Sequence, residues 1–199
     1  MLKDASAKNY PYEFQTAQCC VAVNSPSDVM VGKSKWKVPE VSLFKLNIDG
    51  IWSDSERRGG VGGLVKVCQG EIIGGFGKGL VDCGSVTQAK MLTILHNLIF
   101  AKEIGIHEII LESDSLNCLL AIKSPIGDFL SLGIHVEEVK AAFRFFSRIY
   151  CVHVRREANA VVYALACYVK GLENNVFWME EILTCFNLLV LKNSSSLRS

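Results

Sequence analysis

The stretch Phe44-Lys45-Leu46-Asn47-Ile48-Asp49-Gly50 decides how this chain is read. Apolar and polar residues alternate along it, the period of a strand with one face buried, and it ends in a polar cluster at Asp49-Gly50. Val61 to Cys68 and Glu71 to Phe76 are two further strand-like runs. Only Gln69-Gly70 separates them, so they predict a tight hairpin. Beyond Asp82 to Ser85 the period changes. Ala89, Leu92, Ile94, Leu95, Leu98, Ile99 and Ala101 form an apolar stripe near 3.6 residues per turn, with Gly105 as a stop. His107 to Glu112 reads as a buried strand, and Ser113 or Ser115 can cap a short helix through Ile122. Pro125 and Gly127 break the chain before an amphipathic helix at Leu132 to Ser147, a strand at Ile149 to Arg155 and a helix at Ala158 to Lys170. Three antiparallel strands followed by alternating helices and strands predict an α/β fold, a mixed five-stranded sheet flanked by helices.

Composition narrows the class. The chain has 199 residues, half of them apolar, with 21 basic and 20 acidic side chains and a formal charge of +1. That is a globular composition, long enough to bury a core without a metal or disulfide staple. No apolar run approaches the ~20 residues of a membrane helix, and the N-terminus lacks the pattern of a secretory signal, so an intracellular protein, cytoplasmic or nuclear, is expected. The eight cysteines are scattered through apolar stretches with no C-x-x-C pair, which reads as small buried hydrophobes in a reducing compartment. Residues 1–40 are rich in Pro, Ser, Asn and Lys with no sustained period, and read as an arm or linker. Phe177-Trp178 and Leu183 to Leu191 suggest a short C-terminal helix in an extension, 173–199, that closes in a disordered tail.

The same residues carry a family likeness. Phe44 to Gly50, the glycine cluster Gly59-Gly60-Val61-Gly62-Gly63, and the helix start Gly84 to Lys90 come in that order. Ala101 to Ile106 with Glu112-Ser113-Asp114-Ser115 follow, then His153 to Ala166. Together they resemble the plant-type ribonuclease H domain related to non-LTR retrotransposon reverse transcriptases. The match runs from about 36 to 172 and places the domain at 41–172. The resemblance implies a ribonuclease H-like fold and a hydrolase that cuts the RNA strand of an RNA–DNA hybrid with Mg²⁺. Two such ions activate a water and stabilise the leaving oxygen, and they need converging carboxylates. Of the family's four acidic positions, Asp49 and Asp114 are filled. Lys90 stands where the second acid belongs and Tyr163 where the fourth does. An ammonium does not ligate Mg²⁺, and a neutral phenol is a poor ligand for it. The resemblance therefore implies a degenerate site with weak or single-metal binding at Asp49 and Asp114, for which Glu112 and Glu157 are the available substitute acids.

On residue chemistry alone, Asp49 before Gly50 also suits a turn and Asp114 a helix N-cap. The glycine cluster lacks the Lys-Ser/Thr of a phosphate-binding loop and reads as hairpin or edge-strand glycines. His153, in an alternating strand, reads as structural.

Charge supplies a second pointer. Residues 1–130 hold 13 basic and 14 acidic groups, and residues 131–170 hold 6 and 3. Lys140, Arg144 and Arg148 recur every four residues, forming one stripe on a helix, and Arg155 and Arg156 follow beside Asn159. Such a stripe can track phosphates or be a solvated face. Three functions follow: an impaired ribonuclease H-like module that binds RNA–DNA hybrid or double-stranded RNA, an active Mg²⁺-dependent hybrid nuclease, and a retroelement-derived scaffold that engages protein.

Overall fold

In the computed structural model the decisive stretch is one strand in the middle of a sheet. The structure describes residues 20–24, 28–30, 43–67, 70–124 and 132–179. The strands are β1 (Cys20–Asn24), β2 (Asp28–Met30), β3 (Phe44–Ser53), β4 (Arg58–Lys66), β5 (Ile72–Val81), β6 (Glu108–Ser113), β7 (Arg148–His153) and β8 (Val176–Met179). The helices are α1 (Val86–Glu103), α2 (Leu116–Lys123), α3 (Gly133–Phe143) and α4 (Ala160–Val169), with a 3₁₀ turn at Arg156–Asn159 before α4.

The sheet order is β2-β1-β7-β6-β3-β4-β5-β8. The five expected strands are its contiguous centre, β7-β6-β3-β4-β5. There β3, β4 and β5 run antiparallel, while β6 lies parallel to both β3 and β7. Three short strands extend the sheet. β1 and β2, from the segment read as an arm, add to the β7 edge. β8 pairs with β5, so Phe177-Trp178 lie in a strand and not in the expected helix. Trp178 is buried against Leu64, Val162 and Leu165, which secures β8 to the sheet. Leu183 to Leu191, the tail and Gln69 lie outside the described residues.

Two faces of β3 bury different things, because its side chains alternate. Leu46 and Ile48 point into the larger core with Met91, Ile94, Leu98, Ile109, Leu111 and Val139, under α1 and α3. Each such side chain contributes roughly 1.5–3 kcal/mol by leaving water. Asn47 and Asp49 point to the other face, where Leu64 of β4 meets Val162, Leu165 and Val169 of α4.

Local chemistry sets the ends of α1. Ser85 Oγ accepts from Gln88 N at 3.1 Å, and Gln88 Oε1 accepts in return from Gly84 N at 2.8 Å. This is a reciprocal N-terminal cap. At the other end Gly105 has φ of +79°, and Gly105 N and Ile106 N donate to Lys102 O and Ala101 O. Only glycine adopts that conformation cheaply, so the expected stop is a Schellman turn.

Three expectations are corrected here. β3 does not end at Asp49; it runs on to Ser53, so Asp49 is a strand residue and not a turn residue. The Gly59–Gly63 cluster is neither edge nor turn, since β4 is flanked by β3 and β5. A Cβ at Gly60 or Gly62 would strike the carbonyl oxygens of Ala166 or Val162, so these glycines let α4 lie directly on the strand backbone. Third, α3 stops at Phe143. Arg144, Phe145 and Phe146 donate to carbonyls three residues back, and buried Phe146 turns the chain toward β7. Arg144 thus caps the helix and Arg148 lies in β7, so Lys140, Arg144 and Arg148 are not one helical stripe.

Candidate functional site

The site forms where β3 and β6 run parallel. Ile48 pairs with Ser113, so Asp49, the next residue of β3, and Asp114, the residue just past β6, come side by side at the carboxyl end of β6. Loops beyond that end of parallel strands are where this class of sheet exposes its chemistry. α1 supplies the third group. A Cβ at Gly50 would strike the Thr93 hydroxyl, so its absence lets α1 close on β3 and brings Lys90 over the carboxylates.

Lys90 Nζ donates to Asp114 Oδ1 at 2.6 Å and to Asp49 Oδ1 at 3.1 Å. Both carboxylate side chains are only 4% exposed and the Lys90 side chain 16%. Asp49 Oδ1 also accepts from Gly50 N at 2.7 Å. Burial raises the Asp49 carboxyl above its ordinary value; the Asp114 charge adds to this, while the Lys90 charge opposes it. Burial works against the Lys90 charge too, yet the hydrogen bonds and charges of Asp114 and Asp49 outweigh it and hold the ammonium above its usual range. The group is a buried ammonium between two carboxylates.

The residue at the fourth acidic position of the resemblance lines the same site. Tyr163, on α4, is half-exposed and shares with Lys90, Asp49, Asp114, Arg156, Cys167 and Lys170 the lining of a cavity of about 650 Å³. Its phenol is raised above its ordinary value, first by its hydrogen bond with the Cys167 thiol, so it is neutral at pH 7. Asn159 is buried, and its Nδ2 donates to Ile48 O at 2.7 Å, tying the entry of α4 to the residue before Asp49. Its Nδ2 is thus committed to the backbone of β3, while its Oδ1 has no hydrogen-bond partner. A second cavity, of about 540 Å³, lies beside the start of α1 and holds no titratable side chain.

The basic residues separate. Arg156 Nε stands 3.4 Å from Asp114 Oδ2 with its side chain 87% exposed. Arg155 precedes it, exposed. Arg148 pairs with Glu108 at 2.6 Å across β6 and β7. Lys140 pairs with Glu137 at 3.1 Å and donates to Ser124 O at 3.3 Å. Only Arg156 of the expected basic set reaches the carboxylates. Sequence reasoning passed over Lys170 and Glu56, which pair at 2.8 Å on the cavity wall 114 residues apart. No spacing signal joins such a pair.

The substitute acids do not complete the site. Glu112 accepts from Asn47 Nδ2 at 2.7 Å and pairs with Lys45 at 3.2 Å. Glu157 is exposed on the 3₁₀ turn. Among the described residues no three His, Cys, Asp or Glu side chains converge as metal ligands. The donor set does not fit a pair of Mg²⁺ ions. Their place between Asp49 and Asp114 holds the Lys90 ammonium, and Mg²⁺ requires several oxygen ligands in octahedral array.

Of the four cysteines placed in detail, Cys83, Cys118 and Cys151 are buried, with burial pushing the Cys151 thiol up to about 12. Cys167 is exposed. No helix among the described residues is long and apolar enough to cross a membrane.

Comparison with known proteins follows the same lines. A family model described as "Reverse transcriptase-like" matches residues 47–169. The "Putative ribonuclease H protein" of Arabidopsis thaliana is 29% identical over 162 residues, 81% of this chain and 26% of its own length. The chain thus spans about a quarter of that relative. The fold is that of ribonuclease H. The RNase H1 of Halobacterium salinarum superposes with a TM-score of 0.59 at 19% identity, over 63% of this chain and 96% of that one. LC11-RNase H1, solved in complex with RNA/DNA hybrid, gives 0.57 at 13% identity over 64% and 96%.

Proposed function

Since the chain belongs to the reverse transcriptase-like family, with residues 47–169 matching its model, we propose that it is a ribonuclease H-like module that binds RNA–DNA hybrid or double-stranded RNA with hydrolysis lost or strongly reduced. One observation carries the catalytic half of this reading. The Lys90 ammonium is hydrogen-bonded to both acids that remain, at 2.6 and 3.1 Å, where cleavage by two metals needs open carboxylates. The binding half rests on kinship with a protein named for ribonuclease H and on the exposed Arg156 at the site's mouth. Recognition would be by backbone and duplex shape, the mode that suits A-form helices.

The test is a cleavage and binding assay on one preparation. Labelled hybrid is incubated with the purified chain in Mg²⁺ and in Mn²⁺, and no measurable product is expected. Cleavage abolished by Asp49→Asn would refute the reading. Restoring both acids, Lys90→Glu with Tyr163→Asp, is expected to yield activity if the fold alone has been kept. Affinity for hybrid should fall steeply with salt, as phosphate contacts require. A chain that binds no duplex at low salt would favour the protein-scaffold reading.

A further inference from the structure

We propose that Lys90 and Arg156 are the resident cations of this site, so that a phosphodiester of the duplex docks there without any divalent metal. This rests on the nucleic-acid-binding reading above.

Charge balance is the first argument. Four acids and two divalent ions sum to zero, which is how a metal-dependent site of this fold admits an anionic backbone. Here Asp49 and Asp114 bring two negative charges, and Lys90 and Arg156 bring two positive ones. The other charged pair on the cavity wall, Glu56 with Lys170, cancels internally. A phosphodiester entering this cavity meets no net repulsion, although metal is absent from the sum.

Donor count is the second. A lysine ammonium has three N–H donors, and Asp49 and Asp114 take two of them. Lys90 lines the cavity, so the third donor is left for a ligand oxygen. Arg156 Nε stands 3.4 Å from Asp114 Oδ2, and its side chain is 87% exposed. The guanidinium therefore keeps most of its donors for a phosphate, which it matches in geometry. One cation is held between two carboxylates; the other is exposed.

The experiment measures anisotropy of a fluorescent RNA–DNA hybrid with the full chain at constant ionic strength, in EDTA and in Mg²⁺. Wild type is expected to bind equally in both, within about twofold. Lys90→Gln, which leaves two unbalanced carboxylates, should bind about tenfold more weakly in EDTA and recover in Mg²⁺. Lys90→Arg should behave as wild type. Arg156→Gln alters an exposed residue and leaves the fold intact, so it keeps the proposal testable should Lys90→Gln unfold; about threefold weaker binding in EDTA is expected. Wild-type binding that requires Mg²⁺, or Arg156→Gln binding that is unchanged in EDTA, overturns this inference and leaves the proposed function standing. Absence of binding in both buffers overturns the proposed function itself.

Discussion

Replacing Lys90 with Met removes the ammonium and keeps most of the side-chain volume, and the structure sets the size of the consequence. Asp49 and Asp114 would remain 4% exposed with no cation between them. Leaving a buried charge without its partner costs about 3–5 kcal/mol, reduced here because Lys90 itself is partly reached by water. Protonation limits the loss. Forcing a proton onto a carboxyl of ordinary value 3.8 costs 1.36 kcal/mol per pH unit, about 4.4 kcal/mol at pH 7 and about 1.6 kcal/mol at pH 5. The variant should therefore lose about 3 kcal/mol at pH 7 and under about 2 kcal/mol at pH 5.

The direction follows from linkage. Burial already raises the folded-state Asp49 carboxyl above its ordinary value, and without the opposing Lys90 charge it rises further, so the native state holds more protons than the unfolded one. Stability is then complete at low pH and lost as pH rises through the folded pKa. Urea unfolding monitored by circular dichroism reads the effect. With a slope near 2 kcal/mol/M, the midpoint should drop by about 1.5 M at pH 7 and by less than about 1 M at pH 5. An equal drop at both pH values, or one below about 0.3 M at pH 7, would mean that Lys90 does not neutralise the pair.

Other perturbations probe the parts that hold the site. Asn159→Ala removes the 2.7 Å bond to Ile48 O and should cost about 1–3 kcal/mol in urea unfolding, with weakened hybrid binding, because α4 and β3 then lose their common anchor. Gly60→Ala puts a methyl against the Ala166 carbonyl and should destabilise by more than about 2 kcal/mol; a neutral result would mean that α4 does not lie on β4 as described. Since Lys90 is held above its ordinary 10.5, its pairing should stabilise the fold from neutral pH up to that value and fail as pH rises through the folded pKa, seen as an alkaline limb in wild-type thermal melts that Lys90→Met lacks. A thiol reagent under native conditions should label Cys167 within minutes and leave Cys151, buried and held near 12, unlabelled by mass spectrometry.

How much of this was legible in the sequence depended on the range of the signal. Alternation in Phe44 to Asp49 and the 3.6-residue stripe from Ala89 are local, and both survived folding as β3 and α1. The order of motifs was enough to name Asp49, Lys90, Asp114 and Tyr163 as one site, and the structure brings all four to one cavity. The basic stripe failed for a local reason that spacing cannot express. A period of four has meaning only while the helix lasts, and buried Phe146 ends it before Arg148. The glycine cluster was misread because a gap for a helix lies in another part of the chain: α4 sits about a hundred residues beyond β4. The short edge strands were missed because three to five residues carry too little period to be read.

A site whose cation is a side chain obeys different rules from one whose cation exchanges with solvent. A bound ion leaves when the chelator rises, and its two carboxylates then repel each other. Lys90 cannot leave, since Ser85 and Gln88 lock the start of α1 and the Gly50–Thr93 contact sets the helix against β3. The elements that would present carboxylates to a metal are all retained: the parallel pairing of β3 and β6, the Asn159 anchor and the glycine bed under α4. The two departures from the expected acids, Lys90 and Tyr163, both line the cavity with Asp49 and Asp114. Lys90 fills the charge gap from within, and Tyr163 caps the opposite wall with a neutral ring. Under the proposed function, a side-chain cation in place of an exchangeable metal lets the domain hold a duplex without cutting it. It also makes the prediction a sharp one, because a single exchange at position 90 should move the module from indifference to metal into dependence on it.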